Sequence, residues 1–438
     1  MRLSSKVKSY AKIWLQYCAY FALAFVLISA VVAGIMWIQT EGIFMKELAG
    51  TKARIESSPN FKNGVAQNLE PTPLYPPQKM KDTLKKAYNQ AQTLTANKVQ
   101  NPAQVSLFSA ILSLLKPQKV QIPSVKSDLS ALTKRDSFIW FGHSSYMISI
   151  FGQTILIDPV LRDNAAPLPF IIAPFNGADI YTPSELPAID FLIITHNHYD
   201  HLSKKTIQAL ASKVSQAIVP LGVGKYLKAF GIDEGKITEL DWEESIEFSA
   251  SAGANTKADF SLDSVDFAFH CLSAKHFSGR GIFDRNKSLW ASFVVEARAK
   301  SNTKSDSVKR VFIGGDGGYG AHFAKIGARF GSIDLAFLEN GQYNAQWGLI
   351  HAFPYQTLQA GLDLRAKAIM TVHNAKFKLS LHDWSEPLEW IYALFTQGVK
   401  QGDFDFALLT PQIGQIVPLW RDSSSDFSAF ANAWWEKK

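Results

Sequence analysis

The stretch THNHYDHL, residues 195–202, places His196, His198, Asp200 and His201 within six positions of a chain that has ten histidines. Imidazole nitrogens and carboxylate oxygens so closely spaced form a hard-to-borderline ligand set. Zinc is the first cation such a set suits, with iron and manganese as rivals. The alternative is a polar loop whose histidines satisfy local hydrogen bonds. Three further residues of the same chemical types stand just beyond apolar runs: His276 after FAFHCLS, Asp316 after FIGG and His373 after IMTV. Each alone would read as an ordinary surface or turn residue. Together with the first cluster they suggest one centre. Both cysteines lie elsewhere, Cys18 and Cys271, in environments too different for a disulfide.

The elements that must position these groups are short and apolar. IDFLIIT (189–195) is a continuous apolar run, the pattern of a strand covered on both faces. The runs 265–274, 288–297, 309–315, 333–339 and 366–372 are similar, and FIWFGHSSYMISIFGQTILIDPVL reads as strands with FGQ turning one into the next. Helical patterns fall at about 203–214, 222–230, 320–329 and 354–366. Strands interleaved with helices predict an α/β domain with covered sheets, and ligands that follow strands would then meet along one sheet edge.

The N-terminal part has a different texture. Residues 13–40 contain no charge, and Trp14 and Trp37 lie 23 positions apart, about 35 Å along a helix and close to a bilayer's apolar core with its interfaces. A transmembrane helix is the expectation; a cleaved signal segment and a buried helix are the alternatives. Of the net charge of +7, Arg2, Lys6, Lys8 and Lys12 supply four before any acidic residue. They predict a cytoplasmic tail, 1–12, and an exported remainder. No basic run follows, so no nucleic-acid partner is expected. Residues 41–135 read as a linker and helical lead-in, with a proline-punctuated spacer to residue 80 and amphipathic stretches at 81–96 and 104–116. Residues 136–438 are expected to form the domain that carries the clustered groups, with a C-terminal extension.

The motif His-x-His-x-Asp-His resembles the signature of the metallo-β-lactamase superfamily. FGHSSYMISIFGQTILIDPVL and IDFLIITHNHYDHL are similar to the branch containing N-acylphosphatidylethanolamine-hydrolysing phospholipase D and its bacterial relatives, as is SPNFKNGVAQNLEPTP upstream. The resemblance covers roughly 57–76 and 136–385. It implies an αββα sandwich, two mixed sheets between helical layers. It also implies two zinc ions, one on His196, His198 and His276, the second on Asp200, His201 and His373, with Asp316 bridging. His351, in GLIHAFP, matches a residue placed near the substrate; His143 and Asp158 match supporting positions.

The activity implied is metal-dependent hydrolysis through a metal-bridging hydroxide, with Asp200 and Asp316 engaged on the metals rather than free as bases. The expected protein is a phosphodiesterase of phospholipase D type acting on N-acylphosphatidylethanolamine-like lipids from the inner (cytoplasmic) membrane, its catalytic domain on the periplasmic side. The alternative within the superfamily is a lactonase or amidase with a small-molecule substrate. A non-catalytic envelope protein is disfavoured, because a dinuclear site with an open water position is a poor structural staple.

Overall fold

The computed structural model describes residues 5–40, 45–73, 77–96, 98–99, 120–168, 171–251, 264–281, 283–300, 307–420 and 427–436. The expected helix at 104–116 lies outside them. Helix α1 runs from Ser5 to Thr40 and includes Gln16–Gly34, a stretch long and apolar enough to cross a membrane and not packed against the rest of the chain. A short helix α2 (Thr51–Ser57) and a two-stranded hairpin, β1 (Phe61–Lys62) and β2 (Val65–Ala66), follow. Helix α3 spans Gln78–Leu94, begun by Pro77, which has no amide hydrogen to leave unpaired.

Two seven-stranded sheets then build the domain. The first has the order β16-β3-β4-β5-β6-β7-β8, from β3 (Ser137–Trp140), β4 (Tyr146–Ile150), β5 (Gln153–Ile157), β6 (Ile189–Ile193), β7 (Val214–Pro220), β8 (Ile237–Leu240) and β16 (Ile416–Pro418). The second has the order β15-β14-β13-β12-β11-β10-β9, from β9 (Ser245–Ser251), β10 (Ser264–Leu272), β11 (Ser292–Lys300), β12 (Ser307–Ile313), β13 (Leu335–Glu339), β14 (Ala368–Val372) and β15 (Ala407–Leu409). Both sheets mix parallel and antiparallel pairs. The expected FGQ turn is a two-residue hairpin in which Phe151 and Gly152 take φ of 49° and 78°, the left-handed values that match strand twist.

Alternation along the strands shows why the sheets stack. Phe138, Tyr146, Ile148, Ile155, Ile157 and Ile193 point inward, against Phe269, Phe293, Ile313, Phe337 and Met370 of the second sheet. Tyr146 stacks on Phe337 with centroids 4.1 Å apart. The opposite faces bear Ile139, Met147, Leu156, Leu192 and Ala217 on the first sheet, under helices α4 (Lys204–Leu210) and α5 (Gly224–Ala229). On the second sheet Phe312, Ala336, Leu338 and Ile369 lie under α6 (His322–Phe330), α7 (Pro354–Asp363) and α8 (Glu386–Gln401). The continuous apolar strand runs thus have their reason. Each strand buries both faces, one in the shared core and one under helices. The architecture is the αββα sandwich.

Helix α3 packs on α8 through Tyr88, whose ring lies 5.0 Å from that of Trp390. The stretch before it, read from sequence as a spacer, is bound to the domain along residues 47–70.

Candidate metal centre

All the candidate ligands sit at one end of the sandwich. Strand β6 delivers the 196–201 loop, β10 leads to His276, β12 to Asp316 and β14 to His373. The two sheets are tied together there: His143 N donates to Asn374 O at 2.9 Å and His373 N to His143 O at 3.0 Å. His143, Asp158 and His373 adopt φ of 53°, 41° and 67°, values that side-chain-bearing residues take at a cost and that concentrate at functional sites. Gly315, at φ 60°, lets Asp316 approach: a Cβ there would lie 2.9 Å from Thr195 Cβ.

Three imidazoles converge first. His196 Nε2 lies 2.9 Å from His198 Nδ1, and His276 Nε2 lies 3.3 Å from the same atom. A second group gathers Asp200, His201 and His373: Asp200 Oδ2 lies 3.5 Å from His201 Nε2 and 3.4 Å from His373 Nε2. Asp316 stands between them. Its Oδ1 is 3.0 Å from His201 Nε2, and its Oδ2 is 3.0 Å from His373, 3.8 Å from His276 and 4.0 Å from His196. The side chains of His196, His201, His276, His373 and Asp316 are buried.

The outer nitrogens decide which inner ones carry lone pairs. Thr195 Oγ1 donates its hydrogen to Asp158 Oδ2 at 2.6 Å, so it can only accept from His196 Nδ1, 3.0 Å away. His201 Nδ1 donates to Asp158 Oδ2 at 2.7 Å, and His276 Nδ1 to Ile350 O at 3.0 Å. With those hydrogens placed outward, the Nε2 atoms of His196 and His276 face the centre bare, and that of His201 faces it with the proton a bound cation would displace. Burial pushes His198 and His276 down to about 3, so both rings are neutral, the form that coordinates a cation. Burial also opposes charge on His201, yet Asp316, Asp200 and Asp158 together hold its pKa well above the usual histidine value. His201 Nε2 and Asp316 Oδ1 face each other at 3.0 Å outside hydrogen-bond geometry, and neither has another hydrogen-bond partner among the described residues. Converging bare nitrogens, facing carboxylates and orphaned polar atoms are the donor set a divalent cation requires. The cluster is able to bind metal.

His143 and Asp158 do support it. His143 Nε2 donates to Asp200 Oδ2 at 2.9 Å, with burial holding the ring neutral by pushing its pKa down to about 3. Asp158 accepts from Thr195 N, Thr195 Oγ1 and His201 Nδ1. His351 lies at the rim, its ring parallel to that of His373 at 5.3 Å.

Two supporting residues escaped the sequence reading. Glu339, the last residue of β13, receives His351 Nδ1 at 2.5 Å on Oε1 and Gly317 N at 2.6 Å on Oε2, with His373 Nδ1 at 3.4 Å. Its signal was a lone carboxylate closing an otherwise apolar run. Asn68 grips the backbone of His276 in both directions, accepting from its N at 3.1 Å and donating to its O at 2.8 Å; no local pattern announces that role. A separate groove of about 970 Å³, lined by Asp334, Arg365, Lys367 and Trp420, lies where β13 and β14 begin, at the other end of the sandwich.

Residues 153–374 match the family described as the beta-lactamase superfamily domain. An uncharacterised protein of Mycobacterium tuberculosis is 30% identical over 359 residues, covering 79% of this chain and 82% of that one. The N-acyl-phosphatidylethanolamine-hydrolyzing phospholipase D 1 of Caenorhabditis elegans is 27% identical over 291 residues, 63% of this chain and 74% of that one. Outer membrane protein RomA of Klebsiella pneumoniae is 46% identical over 104 residues, 24% of this chain and 71% of that one.

Proposed function

The chain belongs to the metallo-β-lactamase superfamily and is a metal-dependent hydrolase, and from that premise we propose a membrane-anchored, dinuclear zinc phosphodiesterase of phospholipase D type. The observation that carries the dinuclear reading is the pair of ligand triads sharing Asp316. His196, His198 and His276 would hold one zinc ion, Asp200, His201 and His373 the other, and Asp316 would serve both. Bound there, two cations supply a water acidified toward neutral pH and positive charge opposite oxygens that become negative during reaction.

The chain's own groups do the rest. His143 and Asp158 aim Asp200, Thr195 and His201, so the ligands need not reorganise as charge develops. Asp200 and Asp316, committed to the ions, are not free as general bases. His351 is the proton-handling residue left at the rim. Glu339 accepts from its Nδ1, which leaves Nε2 as an acceptor able to take a proton from the attacking water and pass it to the departing alkoxide.

The likeness to the nematode phospholipase D supports N-acylated ethanolamine phospholipids as substrates. Water oxygen would join phosphorus while the bond from phosphorus to the ethanolamine oxygen breaks, giving phosphatidate and an N-acylethanolamine. Zinc-loaded protein in labelled water should therefore place the label in phosphatidate and none in the alcohol. Opening of lactones or β-lactams with no attack on these lipids would sink the phosphodiesterase reading and favour the amidase or lactonase one.

In this reading residues 1–12 stay in the cytoplasm, 13–40 span the inner membrane, 41–135 connect, and 136–438 form the exported hydrolase. The basic residues ahead of the uncharged stretch 13–40 support that orientation, and the RomA likeness supports an envelope location. An alkaline phosphatase fused after Lys438 should be active in cells, and a cytoplasm-dependent fluorescent reporter dark. The opposite pair of results would reverse the topology.

A further inference from the structure

Residues 45–73 form a strap along the end of the sandwich that carries the metal cluster. Its first part is bolted beside β8. Leu48 is buried against Gly224, Ala49 N donates to Glu234 Oε1 at 2.9 Å, and Glu47 pairs with Lys225 at 2.9 Å. Thr51 Oγ1 donates to buried Glu239, whose other oxygen accepts from Gly222 N and Gly224 N at 3.0 and 2.8 Å. The strap then crosses the site. Asn60 donates to Asp241 at 2.9 Å, Ala66 N to Asn286 O at 2.8 Å, and Asn68 grips His276. Strands β6, β7 and β8 are mutually parallel, so Glu239 lies at the same end of its sheet as Ile193, which leads into the 196–201 loop.

The bolted start of the strap is also the end that leads to α1. Only residues 41–44 separate Thr40 from Met45, five Cα steps that reach at most about 18 Å. A bilayer around α1 therefore has the bolted start of the strap within that distance of the helix end. The Thr51–Glu239 contact fixes that start to the end of the sandwich that carries the metal cluster, so the same short tether keeps the cluster end near the membrane.

Three loops around the cluster expose large apolar side chains. Leu69, next to Asn68, is 64% exposed. Phe283, 48% exposed, belongs to the loop in which Asp284 accepts from Arg280 N and Tyr226 OH. Leu168, 37% exposed, tips a loop closed by Ala165 N to Ile172 O and packed on Phe377, whose ring lies 5.2 Å from His143. All three loops stand at the end of the sandwich that carries the cluster. We propose that this face docks on the lipid bilayer that holds α1, with Leu69, Leu168 and Phe283 entering its interface and the metal cluster opening toward lipid; this rests on α1 being a retained span.

The test uses the full chain, Cys18→Ser, reconstituted in phospholipid vesicles, since Cys271 is buried. A nitroxide is attached in turn at Leu69→Cys, Leu168→Cys, Phe283→Cys and, as the distal control, Val308→Cys at the start of β12. Membrane-soluble oxygen and water-soluble chromium oxalate then compete to relax the label. Flotation of the vesicles reads anchoring separately. Docking predicts an oxygen-to-chromium ratio several-fold higher at 69, 168 and 283 than at 308. Water-like ratios at all four positions in protein that floats would overturn docking and leave the anchor standing. Protection from both relaxants at the three positions would mean a protein contact, and would overturn it too. Protein that fails to float would remove the span, and the docking with it.

Discussion

Asp316→Asn is expected to leave the purified protein with fewer than half the metal ions of the parent and to lower hydrolysis by more than about 100-fold, beyond what loss of a mere outer partner of a ligand costs. The reason is position. Asp316 has carboxylate oxygens within 4.0 Å of His196, His201, His276 and His373 alike. The amide keeps the shape and loses the charge, so each triad would retain neutral imidazoles with less anionic balance for a divalent cation. His373→Ala removes a ligand from one triad only and should leave the ion on His196, His198 and His276. Metal content by mass spectrometry separates the two variants. An Asp316→Asn protein that still carries two ions and full activity would end the shared-carboxylate mechanism.

Asp158→Ala should cost about 3–5 kcal/mol of stability, the range for removing one member of a buried, hydrogen-bonded charged set. Asp158 receives three donors, Thr195 N, Thr195 Oγ1 and His201 Nδ1, and is itself fully buried. Truncation strands all three away from water. Zinc affinity should fall by about 10–100-fold as well, because His201 and, through Thr195, His196 lose the partner that fixes their tautomer. Asp158→Asn distinguishes the effects. Its carbonyl can still accept from Thr195, but its NH₂ group would oppose the His201 Nδ1 hydrogen, so stability should recover more than zinc affinity. Denaturant unfolding and chelator competition on the same preparations measure both. Unchanged zinc affinity in the two variants would show that Asp158 only supports the fold.

The ligand chemistry was legible in one dimension because six of the candidates announce themselves locally. Four stand in a single loop, and Asp316 and His373 follow directly on apolar runs whose β character is equally local. His276, slightly further from its strand, was found by the company it keeps. Covered sheets in an α/β domain were legible from the largely apolar strand runs, whereas the αββα sandwich itself came from the family resemblance. Helix α8 and the edge strands β15 and β16 were passed over, their patterns being short or mixed.

What sequence by itself determined is which groups can ligate a cation and that an uncharged stretch, 13–40, precedes them. Which candidates stand together, and which ring nitrogen faces inward, was decided by partners far along the chain: Asp158 is 43 residues from His201, Glu339 is 34 from His373, and Asn68 is 208 from His276. A hydrogen bond depends on distance and angle to within a fraction of an ångström. Local pattern carries no such information, and only two sheets closing on a shared core bring those atoms to within about 3 Å.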